Sequence, residues 1–310
     1  MNIVLVLNAL LPATNYGGTQ RVIWYLAKEL VEMKHNITLL AKKGSTCPFA
    51  KVVYINDNIP LHEQIPANTD IVHYNSSADP LTKEPYVVTI HGNAAHNNST
   101  DRSIYVSRNH AERYNSKHFI YNGLDWADYG EVSTSDFVTR DNHHHFLAKA
   151  SWKVKNVKGA VRIIDSVPNG HLEVLGGYRF NFKMGWRFTL SPNASFRGMV
   201  GGENKLKYLR RSRGLIFPVI WHEPFGLAIT ESLYFGAPVF GTQMGSLPEL
   251  VTNEFGYLSN DEDDIAKAIR DADFSHKRCH EYAMDCFNSK VMALAYLEKY
   301  EQVINHSKLL

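Results

Sequence analysis

Residues 2–41 read NIVLVLNALLPATNYGGTQRVIWYLAKELVEMKHNITLLA. Asn2–Leu7 is a continuous apolar run, the pattern of a parallel strand covered on both faces. A turn containing Gly17 and Gly18 follows, with Thr19 as a candidate cap. Val22, Leu26 and Leu30 then recur at helical spacing through Thr19–Lys34. A second strand-like run occupies Asn36–Ala41. Strand, glycine turn, helix and strand in that order make a βαβ unit, and its repetition implies a doubly wound α/β domain.

The alternation continues with strand-like runs at Lys51–Ile55, Asp70–Tyr74, Tyr86–His91, Ser103–Ser107 and His118–Tyr121. Asn122–Asn142 is polar and turn-rich and reads as the crossing into a second domain. There the pattern repeats. Strands are expected at His145–Ala150, His171–Leu175, Gly214–Val219 and Pro238–Thr242, and helices at Lys158–Val167, Glu203–Arg211, Gly226–Phe235 and Asp263–Asp271. A long helical pattern from Ser289 to His306 ends the chain. A chain of 310 residues exceeds the size at which one core usually keeps growing, so two domains of roughly 150 residues are expected. The expected fold is α/β, with Rossmann-like domains over residues 1–140 and 141–288 facing a central cleft. The terminal helix, residues 289–310, is expected to pack back on the first domain.

Composition excludes several classes. Hydrophobic content of 44% with 21% charged residues is that of an ordinary globular protein. The net charge of +2 lacks the strong basic excess of a nucleic-acid binder. Cys47, Cys279 and Cys286 are odd in number and show no CxxC spacing. This argues against a disulfide framework or a thiolate zinc site and fits a reducing cytoplasm. Met1–Leu11 is apolar but has no basic flank or cleavage site, so it reads as a buried first strand. No apolar run reaches the ~18 residues a membrane span requires. His143–His145 are adjacent in a strand, where side chains alternate between faces, and so cannot converge on one metal.

The chemistry concentrates in Trp221-His222-Glu223-Pro224-Phe225-Gly226-Leu227-Ala228-Ile229-Thr230-Glu231. Phe217-Pro218 reads as a strand end, so Glu223 falls in a loop at a strand's carboxyl edge. Glu231 falls two turns along the next helix, on its inner side. The amides around Phe225, Gly226, Leu227 and Ala228 form a helix start, whose orphan N–H groups and dipole attract phosphate. A carboxylate beyond the phosphates suits a ribose diol, and one in the preceding loop suits sugar hydroxyls.

This segment resembles the Glu-x7-Glu motif of retaining GT-B glycosyltransferases of family 4, down to its Glu-Pro-Phe-Gly start. Glu231-Ser-Leu-Tyr-Phe-Gly236-Ala-Pro238-Val and the Gly241–Val251 stretch resemble that family's continuation. Tyr16-Gly17-Gly18 resembles its glycine-rich first loop, where only glycine lets backbone approach the donor phosphate closely. Val87-Val88-Thr89-Ile90-His91-Gly92 resembles the strand end that carries an active-site histidine, and Asn122-Gly123-Leu124-Asp125 the turn near the hinge. Phe146-Leu147-Ala148-Lys149 and the following lysines resemble the opening of the second domain, where the family places an Arg and a Lys against the diphosphate. Lys149 stands where Arg is common, and Lys153 and Lys158 rival Lys155 for the second position. Ser195–Met199 resembles the strand and turn that meet the nucleobase. The basic run Lys205–Arg213 reads as a solvated helix face or a membrane-surface contact.

The resemblance implies retaining transfer of a sugar from a nucleoside diphosphate sugar to an acceptor hydroxyl, without metal or other cofactor. A UDP-sugar is favoured as donor and a GDP-sugar comes next. Glu223 would orient the sugar, Glu231 hold the ribose and His91 contact the donor sugar or its developing charge. Lys149, Lys155 and the helix start would take the diphosphate. The acceptor, a glycan, glycolipid or small molecule, would meet loops such as Asn8–Tyr16 and His91–Asp101; no nucleic acid is expected, and a cytoplasmic enzyme with peripheral contact at the inner membrane face fits. The alternatives are a GT-B epimerase or phosphorylase and a non-catalytic nucleotide-sugar-binding module. A dinucleotide-dependent oxidoreductase shares the alternation, but no GxGxxG follows the first strand.

Overall fold

A computed structural model describes residues 1–13, 17–93, 100–181 and 187–307. Tyr16 and parts of the two loops expected to meet the acceptor lie outside the described residues. The chain forms two compact units, Met1–Asp125 with Phe287–Leu310, and Trp126–Cys286.

The first unit holds six strands: β1 (Asn2–Leu7), β2 (Asn36–Ala41), β3 (Lys51–Tyr54), β4 (Ile71–Tyr74), β5 (Tyr86–Ile90) and β6 (Ser103–Tyr105). They form one sheet in the order β3-β2-β1-β4-β5-β6, and every neighbouring pair is parallel. Helices α1 (Gly18–Glu32) and α2 (Arg108–Glu112) follow β1 and β6. The near-continuous apolar runs are explained by burial: β4 is buried at every position and β1 at all but its first. The strand expected at His118–Tyr121 reduces to a single bridge between Tyr105 and Phe119.

In the second unit the strands are β7 (His144–Leu147), β8 (Leu172–Leu175), β9 (Phe180–Asn181), β10 (Arg187–Phe188), β11 (Ala194–Phe196), β12 (Leu215–Phe217), β13 (Val239–Gly241) and β14 (Gly256–Leu258). Six of them form a parallel sheet in the order β11-β8-β7-β12-β13-β14, while β9 and β10 pair antiparallel. The helices are α3 (Thr134–Val138), α4 (Val157–Asp165), α5 (Gly202–Arg211), α6 (Leu227–Tyr234), α7 (Leu247–Leu250), α8 (Glu262–Arg270) and α9 (His276–Cys286). The strand expected over His145–Ala150 stops at Leu147, which leaves Lys149 in a turn.

Residues 126–140, expected in the first domain, belong to the second unit. Their aromatic side chains decide this. Trp126 stacks on Tyr234 at 4.3 Å between ring centroids and 6° between planes, and the Tyr129 hydroxyl donates to Glu231 at 2.7 Å.

The terminal helix α10 (Ser289–Ser307) belongs with the first unit. Gly123 marks its entry. The Leu124 N–H donates to the Phe287 carbonyl, and the Ser289 N–H to the Leu124 carbonyl, both at 2.9 Å. Further along, Tyr300 bonds His73 Nδ1 at 2.7 Å, His73 Nε2 bonds Thr89 at 2.7 Å, and Thr89 bonds Tyr296 at 2.9 Å. This buried network joins α10 to β4 and β5 with its side-chain polar groups paired, so it specifies one seat for the helix. Among the described residues no helix is long and apolar enough to cross a membrane.

Candidate active site

In a parallel sheet, ligands bind beyond the carboxyl ends of the strands. The expected site residues fall into two sets, one at that edge of each sheet.

In the second unit, three strand-end segments support one another. The turn after β7 carries Lys149, and its Ala150 N–H donates to the Gly176 carbonyl beyond β8 at 2.8 Å. Lys155 closes the short 3-10 turn before α4. Asn156 caps that helix through its side chain, which accepts from the Gly159 N–H at 3.1 Å, while its amide nitrogen donates to the Pro218 carbonyl at 2.9 Å. The Ile220 N–H reaches back to the Val154 carbonyl at 2.9 Å, holding the loop after β12 against the lysine turn.

Glu223 lies in that loop. Its carboxylate forms a buried ion pair with the Lys155 ammonium, each side chain being 8% exposed. Trp221 Nε1 donates to the same Glu223 oxygen, Oε2, at 2.7 Å. The ammonium also lies over the rings of Trp221 and Phe217, at 4.7 and 5.4 Å from their centroids. A cation held between a carboxylate and two aromatic faces is shielded from water yet electrostatically satisfied. Lys149 is half-buried, 5.6 Å from the Trp152 ring centroid, whereas Lys153 and Lys158 are exposed. Of the three rival lysines, only Lys155 meets a glutamate of the motif.

The loop from Glu223 to Gly226 is braced from β13. The Ser246 N–H donates to the Glu223 carbonyl at 2.9 Å, and the Ser246 hydroxyl to the Phe225 carbonyl at 2.7 Å. Gly245 has φ of +65°, and a Cβ there would overlap the backbone of Glu223. Gly226, at φ +86°, begins α6, and no side chain among the described residues caps it. The first amides of α6, at Leu227 and Ala228, thus start a helix whose N-terminal dipole faces the Glu223 loop. All of α6 from Ala228 to Tyr234 is buried, Glu231 included.

Glu231 Oε1 accepts from Tyr129 at 2.7 Å and from the Lys205 ammonium at 2.5 Å. The solvated-face reading of Lys205–Arg213 is therefore wrong at its first residue: the Lys205 side chain is 12% exposed. Arg210 pairs with Asp136 at 2.9 Å and Arg211 with Asp141 at 2.6 Å, both structural contacts. The signal available was spacing, since Lys205 stands four residues before the fully buried Leu209 and borders the apolar stripe of α5.

In the first unit, Gly17 caps and Gly18 opens α1, the helix that follows β1 in the chain, and His91 directly follows β5. Sequence reading missed Asn75, which follows β4. Its side-chain oxygen bonds His91 Nε2 at 2.9 Å. Burial, with His110 nearby, holds the His91 pKa down to about 3, and burial with Arg113 nearby holds His110 at about 4. His91 is therefore neutral over the physiological range. The other histidine cluster is dispersed: His143 bonds the Tyr208 carbonyl at 3.0 Å, His145 bonds Ser212 at 2.7 Å, and His144 packs on Phe240.

Residues 140–283 match the family model of glycosyl transferases group 1. That segment contains Lys149, Lys155, Lys205, Glu223 and Glu231. A curated relative, an uncharacterized 41.2 kDa protein in the cps region of Klebsiella pneumoniae, is 29% identical over 117 residues. The match covers 35% of this chain and 32% of that protein, about a third of its length. Among solved structures, AviGT4, a glycosyltransferase involved in avilamycin A biosynthesis, is similar with a TM-score of 0.79 at 20% identity, covering 98% of each chain. Sucrose-phosphate synthase of Thermosynechococcus elongatus gives 0.76 at 18% identity, covering 98% of this chain and 99% of that one. HepE of Anabaena, in complex with UDP and glucose, gives 0.73 at 14% identity, covering 97% of this chain and all (100%) of the other. The fold is the two-domain GT-B architecture of glycosyltransferases.

Proposed function

We propose that this chain is a retaining glycosyltransferase that moves a sugar from a nucleoside diphosphate sugar to an acceptor hydroxyl in glycan synthesis. The observation that carries the reading is the buried Lys155–Glu223 pair beside the start of α6, with Glu231 eight residues on. An ammonium has three N–H donors. Lys155 spends one on Glu223, and the others serve the oxygens of a diphosphate. The start of α6 supplies a second positive partner, with its backbone amides already oriented. Lys149 adds charge from the β7 turn, without the planar fork of an arginine. Together they compensate the charge that develops as the diphosphate leaves, with no metal assigned a part.

In this reaction the bond from the anomeric carbon to the phosphate oxygen breaks, and a bond from that carbon to the acceptor oxygen forms on the same face. The acceptor proton passes to the departing phosphate oxygen. Glu223 orients the sugar and Glu231 receives the ribose diol, with Tyr129 and Lys205 fixing its Oε1. The first unit's edge, with His91 and the Gly17–Gly18 turn, is assigned to the sugar and its acceptor. UDP-sugar is the first donor proposed and GDP-sugar the second; HepE, which shares the fold, binds UDP-glucose. The location of the Klebsiella relative in a cps region favours a polysaccharide product.

The test is turnover of a panel of nucleoside diphosphate sugars with candidate acceptors, the product's anomeric configuration being read by NMR. Retention is expected. An inverted product excludes the mechanism, and donor turnover without an acceptor points to an epimerase.

A further inference from the structure

We infer that Asn75 is a positioning residue that fixes His91 as the Nε2–H tautomer, so that His91 meets its ligand through Nδ1 as a hydrogen-bond acceptor for a hydroxyl. The assignment of that hydroxyl to a sugar rests on the glycosyltransferase reading. The tautomer does not.

The geometry runs inward from the sheet. The Asn75 amide nitrogen donates to the Val6 carbonyl at 3.2 Å and bears on the His73 carbonyl at 3.4 Å. Two carbonyls on that side leave no sense in flipping the amide, so the side-chain oxygen is the atom that faces His91 Nε2 at 2.9 Å. An amide oxygen only accepts, and Nε2 must therefore carry the proton. In a neutral ring the other nitrogen, Nδ1, then holds the lone pair.

The surroundings favour that neutral ring. His110 approaches from α2 and bonds the Gly92 carbonyl at 3.1 Å, with Arg113 at the end of the same helix. His73 approaches from β4. His110 and His73 are both cationic when charged, so each disfavours an imidazolium at His91, and Arg113 acts in the same sense on His110. Nδ1 has no partner among the described residues. The adjoining Gly92 has open space at its Cβ position among those residues. His91 also lies beyond the carboxyl end of β5, on the ligand side of a parallel sheet.

This gives His91 a narrower role than a general sugar contact. A neutral Nδ1 lone pair welcomes an O–H and repels an anionic oxygen. It supplies no positive charge to a developing phosphate or carboxylate. The substrate class fitted to this position is a neutral hydroxylated sugar rather than one bearing a carboxylate there.

Two measurements on the full chain test the inference. Long-range proton–nitrogen NMR of the histidine-labelled protein, with His91 assigned by loss of its signals in His91→Gln, reads the tautomer directly at neutral pH. An unprotonated Nδ1 and a protonated Nε2 are expected, and Asn75→Leu should convert the single tautomer into a mixture. A protonated Nδ1 in the parent, or an imidazolium, would overturn the inference whether or not any sugar is transferred. The second measurement compares His91→Asn, whose side-chain oxygen takes the place of Nδ1, with His91→Gln, whose amide takes the place of Nε2. His91→Asn should retain about tenfold more kcat/KM, the weight of one buried hydrogen bond. The opposite order refutes the assignment of Nδ1 to the ligand. If the parent transfers no sugar but shows the expected tautomer, the functional reading fails and the inference about Asn75 stands.

Discussion

Lys155→Met removes the cation from a buried ion pair and leaves the Glu223 carboxylate, among the described residues, with the Trp221 N–H as its side-chain partner. Side-chain exposure of 8% on each partner places the pair beyond solvent screening. Breaking such a pair from one side costs about 3–5 kcal/mol, because the remaining charge is stranded out of water. For a unit the size of Trp126–Cys286, each kcal/mol lowers the melting temperature by about 2–4 °C, so Lys155→Met should melt about 6–20 °C below the parent. The double variant Lys155→Met/Glu223→Gln separates stability from function. Its neutral amide can still accept from Trp221, and methionine fills the space under the two rings. Replacing both charges is close to neutral in such sites, so the double variant should recover most of the lost stability. Sugar transfer should stay abolished in both variants, since neither supplies an ammonium to the diphosphate. Differential scanning calorimetry gives the first quantity and a discontinuous transfer assay the second. A Lys155→Met protein that melts within about 2 °C of the parent would refute the buried pair. A double variant that recovers activity along with stability would refute its role in catalysis.

Other outcomes follow from the same contacts. Gly245→Ala puts a Cβ at φ +65° onto the Glu223 backbone, and displacing that loop by about 1 Å should lower kcat/KM up to about a hundredfold in steady-state kinetics, with secondary structure by circular dichroism unchanged. Tyr300→Phe leaves the buried His73 Nδ1 without its partner and should destabilise the first unit by about 1–3 kcal/mol in urea melts, with no change in nucleotide affinity. Burial holds His73 and His144 at about 3, helped by His91 and by Arg213 respectively, whereas unfolded histidine takes up its proton near pH 6.5. The unfolded chain therefore binds more protons between those values. The stabilising effect is complete above about pH 6.5 and declines as the pH falls, by about 1 kcal/mol per pH unit for each histidine. Urea melts between about pH 7 and about pH 5 should show the loss, and constant stability across that range would contradict it.

What was legible in the sequence follows the physics of each segment. The βαβ reading of residues 2–41 held because both faces of β1 are buried and α1 carries a clear inner stripe. The motif from Trp221 to Glu231 was legible because one loop and one helix hold both glutamates at a fixed spacing. α9 escaped notice because it buries only Cys279 and Ala283 in an otherwise polar segment. β14 is three residues long, with an exposed Tyr257 in the middle, and carries too little pattern to read. Local spacing could not reveal the partners of the glutamates, because Lys155 reaches Glu223 across 68 positions and Tyr129 reaches Glu231 across 102. Trp126 and Tyr129 read as turn residues in the sequence; only the stacking of Trp126 on Tyr234, with Tyr129 edge-on to the same ring, moves the unit boundary from residue 140 to before Trp126. Asn75 gave no signal of its own; its role appears only when β4 and β5 lie side by side.

The most direct test of the central claim is calorimetric titration of the full chain with nucleoside diphosphates, UDP first and GDP next, alongside Glu231→Ala with its fold verified by circular dichroism. A nucleoside diphosphate should bind the parent, and the variant should bind it about ten- to a hundredfold more weakly, the cost of losing charge-assisted hydrogen bonds to a diol. Binding of equal strength by both proteins, or no binding by the parent to any nucleoside diphosphate, would contradict the account.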